Sequence, residues 1–264
     1  MINDLTSIEP GLDNVVAAET RLCLVDGAAG RLVLRGHDLA DLADWSFEAV
    51  LGLLWEDLAP APTTGGDIRK ALGAARRTVF ARTEALLPAT DTLSPVEALR
   101  LLLSSLADAE DTPHHVLAVA ATPVFAAAIA RRRAGKAPLE PDASLGHAHD
   151  FLRMLHGKTP APDHVRALNA YLVTVADHGL NASTFAARVI SSTQAGLLSA
   201  VVGGLCALKG PLHGGAPGPV LDMLDAIGDE AGIRPWIEAA LANGERLMGF
   251  GHRIYRVRDP RADV

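Results

Sequence analysis

From Ser46 onward the apolar residues of this chain recur at helical spacing, and the one convincing strand signal is confined to residues 20–34. Phe47, Val50, Leu51, Leu53 and Leu54 follow a serine able to cap a first turn. Further helices are predicted at 67–87, 95–108, 113–134, 144–155, 162–177, 182–208, 217–227 and 235–243. Polar and apolar residues alternate on both sides of Asp26-Gly27-Ala28-Ala29-Gly30, the pattern of a small β-hairpin. Apolar residues fill 49% of the 264 positions and aromatics only 4%, so the core has to be aliphatic and alanine-rich. That supply suits closely packed helices better than a β-sandwich, which favours β-branched and aromatic residues. The expectation is an all-α fold with one small N-terminal hairpin.

A net charge of −7 gives no support to a nucleic-acid-binding face. Cys23 and Cys206 are too few for a disulfide framework and read as reduced core residues of a cytoplasmic protein. The first residues, Met1-Ile2-Asn3-Asp4-Leu5, lack the basic and apolar regions of a signal peptide. Residues 189–208 carry no charge, but Ser191, Ser192, Thr193 and Gln194 interrupt them. The apolar remainder falls short of the about 20 residues that a bilayer crossing takes, so a buried or subunit-interface helix is expected and no membrane partner.

Chemistry concentrates in three histidines. His213 lies in Gly210-Pro211-Leu212-His213-Gly214-Gly215, just before a helix expected at Pro217. At the positive end of a helix dipole the neutral imidazole is favoured, and it can donate to an oxygen that becomes negative, as an enolate oxygen does. His252 lies in Gly249-Phe250-Gly251-His252-Arg253 and is followed by Arg256, Arg258 and Arg261. Beside a catalytic imidazole these guanidinium groups read as carboxylate or phosphate clamps, whose geometry they match in pairs of hydrogen bonds. His178 sits in Asp177-His178-Gly179-Leu180-Asn181-Ala182-Ser183-Thr184, between one helix and a second that Asn181 or Ser183 can cap. His114, His115 and His164 read as solvated positions near helix starts. His147 and His149 point to different sides of a helix, and no further ligand accompanies His149 and His156, so no metal is expected.

Competing motifs fail. The His-Gly-Gly string has no Gly-x-Ser-x-Gly nucleophile elbow to serve. Gly157-Lys158-Thr159 lacks the leading glycine of a P-loop, where Leu152 stands, and Gly249-Phe250-Gly251 does not continue to a third glycine.

With these motifs in place, the chain resembles the citrate synthase family, including its 2-methylcitrate synthase relatives. Arg35-Gly36-His37-Asp38, Ser46-Phe47-Glu48-Ala49-Val50, Asp177-His178, Asn181-Ala182-Ser183-Thr184 and both glycine-framed histidine motifs stand in family order, as does Asp259-Pro260-Arg261. The resemblance implies a helical fold with a large domain over 1–213 and a small domain beginning at 214 and running to 264. It implies that His213 and His252 are catalytic, His213 on the acetyl-CoA thioester oxygen and His252 on the ketone oxygen of oxaloacetate. His178 and Arg261 would bind oxaloacetate, Arg261 through a carboxylate. The implied reaction joins acetyl-CoA, as cosubstrate, to oxaloacetate and hydrolyses the product to citrate and CoA. No permanently bound cofactor is implied. A homodimer built partly from long apolar helices is implied, with residues 182–208 as the interface helix. Propionyl-CoA use, citryl-CoA cleavage and a non-catalytic oxaloacetate-binding role are the alternatives.

The family's base, an aspartate well beyond the last histidine motif, has no counterpart here, nor does a further C-terminal arginine. Asp259 and Pro260 open a helix with four residues after Pro260. The expectation is a truncated chain that is inactive alone.

Overall fold

The hairpin forms because Asp26 closes its turn: Asp26 Oδ1 accepts from the amides of Ala28 and Ala29 at 3.1 and 2.9 Å. Strands β1 (Cys23–Asp26) and β2 (Arg31–Leu34) pair antiparallel, with Cys23 opposite Leu34 and Asp26 opposite Arg31. The computed structural model describes residues 16–264 apart from 63, 110, 216, 246, 248 and 253. A third strand, β3 (His37–Asp38), extends the predicted hairpin to a three-stranded sheet in the order β1-β2-β3. Its two residues are too few to show an alternation. Arg35 and Gly36, at φ 49° and 92°, make the turn that brings it back.

Helices follow: α1 (Leu39–Leu42), α2 (Phe47–Trp55), α3 (Gly65–Leu86), α4 (Pro95–Ser104), α5 (His114–Arg133), α6 (His147–His156), α7 (Pro162–Thr174), α8 (Ala182–Ser192), α9 (Leu197–Leu208), α10 (Pro217–Ile227) and α11 (Glu230–Ala242). Side-chain caps set several starts. Ser46 Oγ accepts from Ala49 N, Thr64 Oγ1 from Asp67 N, and Ser94 and Glu97 form a capping box on α4. Short one-turn 3₁₀ segments lie at Leu87–Thr90 and Pro260–Ala262.

Three expectations change. The helix predicted over 182–208 is two helices, α8 and α9, packed on each other. Gln194 and Gly196, at φ 60° and 90°, turn the chain between them. Gly203 and Gly204 let the pair approach, since a Cβ on Gly204 would lie 3.4 Å from the Ser183 carbonyl oxygen. Helix α6 starts at His147, later than predicted, because Asp142 holds the preceding loop by accepting from the amide and hydroxyl of Ser144 at 2.9 and 2.6 Å. Helix α11 starts earlier than Pro235, because Asp229 caps it and Gly228, at φ 74°, separates it from α10.

The main core surrounds α5, whose Leu117, Ala121, Val124, Phe125 and Ala128 are buried against α3, α4 and α6. By length and composition α5 could cross a membrane, but this burial makes it the central helix of the core. Leu32, Leu34, Leu39, Leu42, Val50, Leu54 and Val173 fasten the sheet to α1, α2 and α7. Helices α10 and α11 pack on each other, and of their described residues only Ala240 is buried.

The cysteines correct the sequence reading: Cys206 is exposed and Cys23 half-buried, so neither is a core residue. His115 is half-buried too, its ring edge-on to Trp55 at 4.6 Å between centroids, rather than solvated.

A charged pair lies inside this apolar frame. Arg76 on α3 and Asp150 on α6 are both 0% exposed, with Arg76 Nε 2.8 Å from Asp150 Oδ2. Arg76 Nη2 donates to the Leu145 carbonyl at 2.9 Å, and Asp150 Oδ1 accepts from the Asp142 amide and from Arg153 at 3.1 and 2.9 Å. The network ties α3, α6 and the loop before α6 together. Asp150→Ala leaves the Arg76 charge buried and unpaired, and should lower the unfolding free energy in urea by about 3–5 kcal/mol. A loss under about 1 kcal/mol would show that the helices hold without the pair.

Candidate active site

Loops, not helix faces, carry the site, and the sheet holds two of them. The amide of Gly179 and the thiol of Cys23 on β1 both donate to Asp177 Oδ1, at 2.7 and 2.9 Å. Burial and then the Asp177 hydrogen bond push the Cys23 thiol up to about 12, so it remains a donor. This bond anchors the loop that carries His178. The opposite end of the hairpin receives the segment after His252. Arg256 N donates to the Gly27 carbonyl at 2.8 Å. A Cβ on Gly27 would stand 2.8 Å from the Ile254 carbonyl carbon, and one on Gly30 would stand 2.7 Å from Val257 Cγ2. Only glycine permits so close an approach.

Those two dockings bring His178 and His252 together. Their ring centroids are 5.3 Å apart at 76°, edge to face. Tyr255, 6% exposed, completes the cluster at 5.7 Å from His178 and 5.1 Å from His252. Its hydroxyl lies 3.1 Å from His178 Nε2. Arg261 Cζ stands over the Tyr255 ring at 5.8 Å, within cation–π range. Arg261 is also bidentate to Asp259, Nε to Oδ1 at 3.0 Å and Nη2 to Oδ2 at 2.6 Å, inside the 3₁₀ turn that Asp259 caps.

Electrostatics favour uncharged imidazoles here. Burial, followed by the charges of Arg261 and His252, holds His178 below the usual histidine range; burial and Arg261 do the same for His252. His252 Nδ1 accepts from the Ile254 amide at 3.1 Å, so the proton of the neutral ring is on Nε2. The Asp259 hydrogen bonds lift Arg261 further above its ordinary value. Burial pushes the Asp259 carboxyl up, but its bonds to Arg261 outweigh that and leave it below the ordinary carboxylate range.

His213 occupies a separate turn, between α9 and α10, half-buried. Its Nε2 is 3.0 Å from Ser183 Oγ in the first turn of α8. Asn181 caps that helix, its Oδ1 accepting from Thr184 N at 2.9 Å and from Ser183 Oγ at 2.7 Å. The single Ser183 hydroxyl proton goes either to Asn181 Oδ1, with His213 Nε2–H then donating to Ser183 Oγ, or to His213 Nε2, which places the imidazole proton on Nδ1. His213 and His178 thus flank one helix start, His178 in the loop before it and His213 pinned to its first turn.

The four sequence-predicted residues do not form one contact cluster. His178, His252 and Arg261 share Tyr255, while His213 is held apart by Ser183. Of the arginines read as clamps, Arg261 alone among those described joins the histidines. Arg256 and Arg258 are exposed, Arg258 pairing with Asp263, and Arg253 lies outside the described residues. Sequence reasoning missed Tyr255 and Ser183. An aromatic three residues after His252 in an arginine-rich run was the available signal for Tyr255.

A family model described as citrate synthase, C-terminal domain matches residues 11–264. The chain belongs to the citrate synthase family. It is 41% identical to the citrate synthase of Haloferax volcanii, over 97% of this chain and 72% of that one. It is 38% identical to the 2-methylcitrate synthase of Mycobacterium tuberculosis, over 98% of this chain and 68% of the relative. The citrate synthase of Thermotoga maritima superposes with a TM-score of 0.82 at 33% identity, covering 97% of this chain and 71% of that one. A citrate synthase of Thermoplasma acidophilum, solved as a ternary complex with carboxymethyl coenzyme A and oxaloacetate, gives 0.81 at 26% identity, covering 95% and 69%. The fold of this family member is mostly helical with a small N-terminal sheet.

Gly27→Ala should displace the Ile254–Arg256 backbone. The expected cost is about 1–3 kcal/mol in urea unfolding, together with shifted NMR signals of His252 and Tyr255. Gly66→Ala, in the first turn of α3 where a Cβ meets nothing within 4 Å, is the control and should leave the NMR signals in place without lowering stability.

Proposed function

We propose that this citrate synthase-type transferase joins acetyl-CoA to oxaloacetate and, with water, yields citrate and CoA. The observation that carries the reading is the pairing of the His178 and His252 rings, 5.3 Å apart, beside the Arg261 guanidinium. Two neutral imidazoles and one cation suit an anion that bears both a ketone and carboxylates. His252 Nε2–H donates to the ketone oxygen and draws charge from the carbon to be attacked. Arg261 takes a carboxylate, exchanging some of its bonding to Asp259 for the ligand, and His178 donates to the same molecule. The ternary complex of the Thermoplasma acidophilum relative supports this choice of ligands.

His213 is the catalytic residue for the other substrate. With Ser183 supplying the hydrogen bond to Nε2, the Nδ1–H donates to the thioester oxygen and stabilises the enol or enolate formed as the methyl carbon loses a proton. The enol carbon then bonds to the ketone carbon, the ketone oxygen gains a proton, and water cleaves the thioester to release CoA. No residue of this chain is assigned to the proton abstraction. The substrates are the only small-molecule partners in this reading, with no permanently bound cofactor, nucleic acid or membrane, and the site of action is the cytoplasm. Residues 1–213 are assigned to the large domain and 214–264 to the small one, supported by the mutual packing of α10 and α11.

Oxaloacetate binding is the direct test, read by titration calorimetry. His178→Ala and Arg261→Ala should each weaken binding about tenfold or more, the loss of one charge-assisted hydrogen bond. His213→Ala should leave it unchanged. Equal affinity in all four proteins would overturn the reading. Titration of the oxaloacetate-bound protein with acetyl-CoA and with propionyl-CoA then decides the acyl chain by affinity, since a 2-methylcitrate synthase stands among the relatives.

The same reading makes the protein a homodimer through α8 and α9. Helix α8 buries none of its residues, and Phe185, Val189, Leu197 and Leu208 are exposed on the pair. Light scattering should give twice the chain mass at micromolar concentration, and Val189→Glu should shift it toward the monomer. A monomeric wild-type chain refutes this assignment.

A further inference from the structure

Among the described residues, Tyr255 makes one side-chain hydrogen bond, and it goes to a site histidine. Its ring is buried among His178, His252 and Arg261. Its hydroxyl lies 3.1 Å from His178 Nε2 and has no other partner among the described residues. The other ring nitrogen, His178 Nδ1, has no partner among the described residues and is not sealed from solvent. A phenol is a stronger acid than a neutral imidazole N–H, and an imidazole nitrogen accepts better than a phenol oxygen. The hydrogen between them therefore lies on oxygen, pointing at Nε2. Burial, followed by Asp259, keeps the phenol protonated by raising it above its ordinary range.

We propose that Tyr255 is a positioning residue that donates to His178 Nε2, placing the imidazole proton on Nδ1 and making Nδ1 the outward donor to an anionic ligand. This deepens the oxaloacetate reading and rests on it. His252 is set the opposite way: the Ile254 amide occupies its Nδ1 and leaves Nε2–H to donate. The two imidazoles thus present different nitrogens while both remain neutral donors. Tautomer choice is made by one phenol and one amide three and two residues along the same loop, so the His252 segment arms both rings.

The test is Tyr255→Phe, which keeps the buried ring and removes only the hydroxyl. In protein labelled with 15N-histidine, the His178 signals, assigned by their loss in His178→Ala, should report Nδ1–H in the wild type and a shift toward Nε2–H in Tyr255→Phe. Oxaloacetate affinity should fall about two- to tenfold, the net worth of one hydrogen bond, while thermal unfolding and the His252 signals stay in place. An Nε2–H tautomer in the wild type, or unchanged His178 signals in Tyr255→Phe, overturns the proposal. If His178→Ala binds oxaloacetate as well as the wild type does, the ligand reading fails, and the tautomer measurement still stands on its own.

Discussion

The ion pair between Arg76 and Asp150 is the constraint around which the helical body is arranged. Two fully buried charges are costly to desolvate, so they persist only where geometry is good and further hydrogen bonds satisfy most of the remaining lone pairs and N–H groups; of this pair, Arg76 Nη1 is left without a partner among the described residues. Here the carboxylate takes bonds from Arg76, Arg153 and the Asp142 amide, and the guanidinium reaches back to the loop carbonyls. An apolar interface between α3 and α6 could slide by a turn, because methyl groups are interchangeable. A hydrogen-bonded pair with named partners has one register. That register fixes the loop before α6 and, through α6, the packing of α5 and α7. Phe47 N, bonded to Asn169 Oδ1 of α7, extends the same framework toward the sheet.

The sheet is small in residue count and large in consequence. Its strand β1 grips the His178 loop through Cys23 and Asp177, and its turn receives the His252 segment against Gly27 and Gly30. Residues more than seventy positions apart in the chain are brought into ring contact because both dock on one hairpin. The arrangement also explains why the site is made of loops: side chains in turns can converge from several directions, while the hairpin and helix ends beneath them supply rigidity. His213 is placed by a different device, the capped start of α8, which leaves it adjacent to the cluster's chain neighbours without joining the cluster.

Much of this was legible before any coordinates. The helical spacing found the long helices, and α10 at 217–227 was located to the residue, since proline starts and glycine stops mark it clearly. The capping serine before Phe47 and the aspartate before Pro260 both act as read. The single helix expected over 182–208 failed because an apolar, small-residue run looks continuous whether or not it turns; Gln194 in the left-handed region is a tertiary choice that no spacing rule detects. Cys206 was misjudged for a related reason. An apolar segment shows that a residue can be buried, and only the packing of α8 on α9 decides which face is.

For the site, residue type and glycine framing singled out His178, His213, His252 and Arg261, because imidazoles and guanidinium groups in tight turns have few structural duties. What those groups do to one another was not in the string. Which arginine of the basic run meets the histidines, which nitrogen of each ring carries the proton, and the part of Tyr255 and Ser183 all depend on distances across the fold. The sequence by itself determined the helical class, the hairpin and the chemical inventory, since these follow from local periodicity and side-chain identity. Only the tertiary structure decided the pairing of His178 with His252 and the separate seat of His213, because hydrogen bonds act over about 3 Å and contacts of that range between distant residues exist only once the chain is folded.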